Sequence, residues 1–107
     1  MNALSLPLLL PLAPRVLLAD DQPLFRDALR RAITELSPAA EVEEVGDLAA
    51  LLELLKQSGI PHLILLDLDM RDSRGFSGLA QIHAVQPQVA VAAVSASEDL
   101  QLVARAL

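Results

Sequence analysis

Chemistry could start at three acids. Asp20 and Asp21 directly follow the apolar run Val16-Leu17-Leu18-Ala19, and Asp67 directly follows Leu63-Ile64-Leu65-Leu66. Carboxylates brought together repel one another and call for a cation. Hard divalent ions prefer oxygen ligands, and Mg²⁺ takes only a few from protein, leaving positions for water and phosphate. A carboxylate beside such an ion is a candidate nucleophile for phosphoryl transfer, which leaves an acyl phosphate on it. Asp67 is that candidate. The chain has no cysteine, hence no thiolate metal site and no disulfide. His62 and His83 have no partner at ligand spacing and are assigned no role.

For these acids to meet, the runs before them must be neighbouring strands of one sheet whose carboxyl ends share an edge. The pattern from Arg15 onward fits. Val16 to Ala19 reads as a strand, and Phe25, Leu29, Ala32, Ile33 and Leu36 recur at helical spacing behind Pro23, a residue tolerated in a first turn. Val42 and Val45 flank acids in a short edge-like strand. Asp47 can cap a helix whose stripe is Leu48, Leu51, Leu52 and Leu55 and which Gly59 and Pro61 stop. The run from His62 to Leu66 is apolar on both sides from Leu63, as a central parallel strand requires. A polar loop with Asp69, Arg71, Asp72, Ser73 and Gly75 leads to a helix with Leu79, Ile82 and Val85, then to a strand over Val89 to Val94. Ser97, Glu98 and Asp99 can open a last helix carrying Leu100, Val103, Ala104 and Leu107. Four strands alternating with four helices predict an open, doubly wound α/β fold with a parallel sheet.

The 107 residues, 53% apolar and 21% charged, suffice for one core. Phe25 and Phe76 are the only aromatics, so no platform for stacking bases exists, and a net charge of −6 argues against holding a nucleic-acid backbone. Residues 1–14 are rich in Leu and Pro but broken by Pro7, Pro11 and Pro14, too short for a spanning helix and without a cationic start. They are expected to be an N-terminal tail, with no membrane partner. The absence of cysteine fits the cytoplasm.

The segments VLLADDQPLFRDALR, LILLDLDM followed by Gly75, and VAVAAVSAS resemble response-regulator receiver domains of two-component signalling, over Arg15 to Leu107. The resemblance implies a flavodoxin-like (CheY-like) fold. It implies a phospho-accepting role for Asp67, a direct Mg²⁺ contact for Asp21, a water-mediated one for Asp20 and a third protein ligand in the Asp69 backbone carbonyl. Ser95 resembles the switch hydroxyl that follows the phosphate. A sensor histidine kinase is the implied partner. The opening DDQPLFRDAL is similar to receivers carrying a C-terminal helix-turn-helix output domain, which would make the whole protein a transcriptional regulator that meets DNA through that other domain.

Two departures stand out. Arg71 stands where the family usually has proline, and the family's last strand, phosphate-contacting lysine, switch aromatic and last helix would lie beyond Leu107. The expected organisation is thus a tail, 1–14, and a receiver, 15–107, incomplete at its C-terminal end, with an uncovered fourth strand that would favour a homodimer and with impaired switching. Asp67-Leu68-Asp69 also resembles the nucleophile loop of haloacid-dehalogenase-type phosphatases. That loop would have Thr or Val at the position of Arg71, and it leaves Asp20 and Asp21 without a purpose.

Overall fold

A computed structural model describes residues 13–73 and 76–94, together with the backbone of 95 and 101–105. The elements run β1 (Arg15–Ala19), α1 (Pro23–Leu36), β2 (Glu41–Val45), α2 (Leu48–Ser58), β3 (Leu63–Asp67), α3 (Ser77–Val85), β4 (Val91–Ser95) and β5 (Gln101–Arg105). The strands lie in one sheet in the order β2-β1-β3-β4-β5. The first four are parallel, with β1 pairing both β2 and β3 and β3 pairing β4.

Local chemistry accounts for the ends of the helices. Pro23 opens α1, and the Ser37 N–H closes it on the Ile33 carbonyl at 2.8 Å. Asp47 caps α2 by accepting from the Ala50 N–H at 2.7 Å. Gly59 ends α2 at φ +83°, ψ −175°, a conformation that a side chain resists.

Apolar residues on both sides of the inner strands are buried against helices on both faces. On one face, Leu17, Ala19, Ile64 and Leu66 pack with Leu48, Leu51 and Leu55 of α2 and Leu79 and Ile82 of α3. On the other, Leu18, Leu65, Ala92 and Val94 meet Phe25, Leu29 and Ile33 of α1. The connection leaving β1 therefore goes to one face and the one leaving β3 to the other. The gap between their carboxyl ends is where a doubly wound sheet leaves room for a ligand.

The last element departs from expectation. Residues 101–105 form no helix but a strand antiparallel to β4, in register from Val91↔Arg105 to Ser95↔Gln101, and three helices stand among the described residues. Five residues can satisfy either period, and an open β4 edge presents unpaired N–H and C=O groups that a helix here would leave unmet. With β5 on it, the β4 edge is not uncovered, and the expected self-association loses that basis. The expected cap Ser97, with Glu98, Asp99, Leu100 and Leu107, lies outside the described residues, as do residues 1–12, Arg74 and Gly75. β4 itself begins at Val91, because Val89 closes a turn through its N–H to the Gln86 carbonyl. No helix among the described residues is long and apolar enough to cross a membrane.

Candidate functional site

β1 and β3 are hydrogen-bonded neighbours in the register Ala19↔Leu66, so the residues that follow Ala19 and Leu66 emerge side by side. Asp20, Asp21 and Asp67 each offer a carboxylate oxygen, and these lie within 4.8 Å of one another. Asp20 is wholly buried, Asp67 is 2% exposed and Asp21 is half-buried.

Each carboxylate is held by one backbone N–H. Gln22 donates to Asp20 Oδ1 at 2.8 Å, Asp69 to Asp67 Oδ1 at 2.9 Å, and Arg71 to Asp21 Oδ2 at 3.0 Å. The remaining oxygens of the two buried acids, Asp20 Oδ2 and Asp67 Oδ2, are out of solvent and without a hydrogen-bond partner. Buried acceptors in that state cost free energy unless something meets them. A set of close carboxylate oxygens with no sulfur or imidazole among them suits a hard divalent ion.

The electrostatics agree. Burial pushes the Asp20 carboxyl from an ordinary 3.8 up to about 6, against the opposing pull of the Gln22 N–H and with added repulsion from Asp67 and Asp21. Burial likewise raises the Asp67 carboxyl, partly offset by the Asp69 N–H and reinforced by the charges of Asp69 and Asp21. A dication among them would reverse these costs.

The other expected residues are less completely placed. Asp69 is exposed, and its N–H is the one that orients Asp67. Ser95 ends β4 one residue beyond Val94, the partner of Asp67 across the sheet, so its backbone lies at the same edge; its hydroxyl lies outside the described atoms. His62 accepts the Arg15 N–H through Nδ1 at 2.9 Å, and His83 Nε2 sits 3.1 Å from the Val89 carbonyl, both structural uses remote from the acids.

Sequence reasoning missed two features. The Arg26 guanidinium donates to the Asp20 carbonyl at 2.9 Å and pairs with Glu44 at 3.0 Å, bracing the end of β1. Asp72 reaches across a cleft of about 360 Å³, which it lines with Asp21, Gly46, Asp47 and Arg71, to the N-terminus of α2. No periodicity marks either, because Arg26 turns back six residues to a backbone carbonyl and Asp72 reaches a helix 24 residues away.

Residues 16–107 match the response regulator receiver domain family. The chain is 42% identical over 93 residues to the glycerol metabolism activator of Pseudomonas putida, covering 87% of this chain and 42% of that protein. It is 39% identical over 93 residues to the nitrate/nitrite response regulator NarP of Escherichia coli, covering 80% of this chain and 41% of that one. The chain thus spans less than half the length of these curated relatives. Among solved structures, the signal receiver domain of NarL from Mycobacterium tuberculosis superposes with a TM-score of 0.68 at 36% identity, over 83% of this chain and 71% of that one. A two-component response regulator of the LuxR family from Aurantimonas shares the fold, with a TM-score of 0.70 at 23% identity over 80% of this chain and 61% of that one.

Proposed function

This chain belongs to the response regulator receiver domain family, and from that premise we propose that Asp67 accepts a phosphoryl group from a sensor histidine kinase at a site where Asp20, Asp21 and Asp67 hold Mg²⁺. It is a signalling domain, and the reaction is one transfer per cycle. An Asp67 carboxylate oxygen attacks phosphorus, the P–O bond forms as the P–N bond of the phosphohistidine breaks, and the freed imidazole nitrogen takes up a proton. Mg²⁺, when bound, supplies positive charge for the phosphoryl oxygens and the acids together.

The chain's own residues do the positioning. The Asp69 N–H fixes Asp67 Oδ1, which leaves Oδ2 without a protein partner, while the Gln22 and Arg71 N–H groups fix Asp20 and Asp21. The Asp69 carbonyl serves as a further metal ligand and the Ser95 hydroxyl follows the phosphate. In the whole protein the output is transcription through a DNA-binding domain, as the regulators of similar sequence suggest.

The observation that carries this reading is the pair of buried, unpartnered oxygens on Asp20 and Asp67 beside Asp21. Incubation with acetyl phosphate and Mg²⁺, followed by intact-mass measurement, should show a single phosphoryl adduct that requires Mg²⁺ and is lost in Asp67→Asn. Equal labelling of that variant would place the acceptor elsewhere.

A further inference from the structure

We infer that Asp72 is a positioning residue for the cation site, acting by clamping the loop after Asp67 onto the N-terminus of α2. The inference rests on the reading of Asp20, Asp21 and Asp67 as a Mg²⁺ site and deepens it. The segment from Leu68 to Ser73 contains no proline, so no ring fixes its shape. Met70 is fully buried in the core and the Ser73 N–H turns back to the Met70 carbonyl at 3.1 Å. Ser73 itself lies so close to α3 that a Cβ on Gly78 would stand 2.2 Å from its Oγ.

Between Met70 and Ser73, two residues face the cleft. The Arg71 N–H holds Asp21 Oδ2. The Asp72 carboxylate accepts from the Leu48 N–H at 3.0 Å to each oxygen and from the Ala49 N–H at 3.2 Å. Those N–H groups are first-turn donors with no intrahelical acceptor, and the helix dipole favours an anion there.

α2 already has a local cap, because Asp47 takes the Ala50 N–H. What Asp72 adds is a tie across 24 residues of sequence. Asp72 lies in the same short loop as Asp69, whose N–H orients Asp67, and next to Arg71, whose N–H orients Asp21. Its hydrogen bonds therefore hold two of the three acids at second hand. Releasing it frees the loop and adds to binding the cost of reordering those N–H groups.

The test is Mg²⁺ affinity of the full chain by calorimetric titration at low temperature, where each variant is folded. Asp72→Ala should bind Mg²⁺ about tenfold more weakly, the lower end of what loss of an outer-shell partner costs a metal site. Asp72→Asn, which keeps a carbonyl oxygen for the same donors, should stay within about threefold of the parent, since a screened charge lost from outside the ligand set has little effect. Asp47→Ala removes the same charge and the other cap of the same helix but no loop tie, and should also stay within about threefold.

Unchanged affinity in Asp72→Ala, or an equal fall in Asp72→Asn or Asp47→Ala, overturns the clamp while leaving the Mg²⁺ reading intact. A parent chain that binds no Mg²⁺ overturns both. Should Asp72→Ala not fold, Ala49→Pro removes one of the clamp's donors at a first-turn position that tolerates proline. Loss of Mg²⁺ affinity there supports the clamp and unchanged affinity overturns it.

Discussion

Replacing Asp20 by Asn should stabilise the metal-free fold at neutral pH, and the gain should vanish in acid. The Asp20 carboxyl is wholly buried and its pKa rises from 3.8 to about 6 on folding. Well below pH 3.8 the acid is protonated whether the chain is folded or not, so it costs nothing. Between pH 4 and 6 the unfolded chain releases this proton while the folded chain keeps it, and stability falls as pH rises. Above pH 6 the folded chain carries the full penalty, on the order of 3 kcal/mol at about 1.4 kcal/mol per pH unit.

Asparagine cannot ionise and keeps an oxygen for the Gln22 N–H. In urea titrations without Mg²⁺ at pH 7.5, Asp20→Asn should unfold about 1–3 M later than the parent, given an m-value of about 1–3 kcal/mol per M. The gap should narrow from pH 6 and close near pH 4. Mg²⁺ should shrink it too, by stabilising the parent alone. A gap of constant size from pH 4 to 8, or a variant less stable than the parent at pH 7.5, would refute the electrostatic account.

Leu51 is fully buried between α2 and the sheet, so Leu51→Ala should cost about 2–5 kcal/mol in chemical unfolding. Gly59→Ala isolates backbone strain, since the added Cβ would meet nothing within 4 Å while φ stays at +83°; a loss of about 1–3 kcal/mol is expected, and no loss would mean that the end of α2 relaxes. Glu44→Gln removes ion pairs with Arg26 and Arg30 at the surface and should change the melting free energy by less than about 1 kcal/mol.

Which features were legible in the sequence follows from how local their causes are. The strands before Asp20 and Asp67 were readable because an inner parallel strand needs apolar residues on both sides, and the doubly wound order then puts their ends at one edge. The cap at Asp47 was readable because a side chain serving its own helix acts within a few residues. The strand at 101–105 was not, because its period is ambiguous over so short a length and the deciding partner, the edge of β4, is distant in sequence. Nor was the difference in burial between the adjacent acids. Asp20 goes inward beside Asp67, while Asp21 stays half in solvent and takes the Arg71 N–H.

Asp21 and Asp72 show why that last layer matters to the chemistry. Arg71 can serve Asp21 only because its N–H exists; a proline there would fix the chain's φ but would have no proton to give. The loop thus draws its order from hydrogen bonds rather than from a rigid ring, and those bonds run both to the acids and to the first turn of α2. The same backbone is then shared by the site and by a helix end at the surface. A phosphoryl group on Asp67 would compete for the Asp69 N–H that now holds Oδ1, in the same loop whose Asp72 carboxylate accepts from the first turn of α2. In this receiver, the backbone that orients two of the acids is therefore continuous with a loop residue bonded to the first turn of α2.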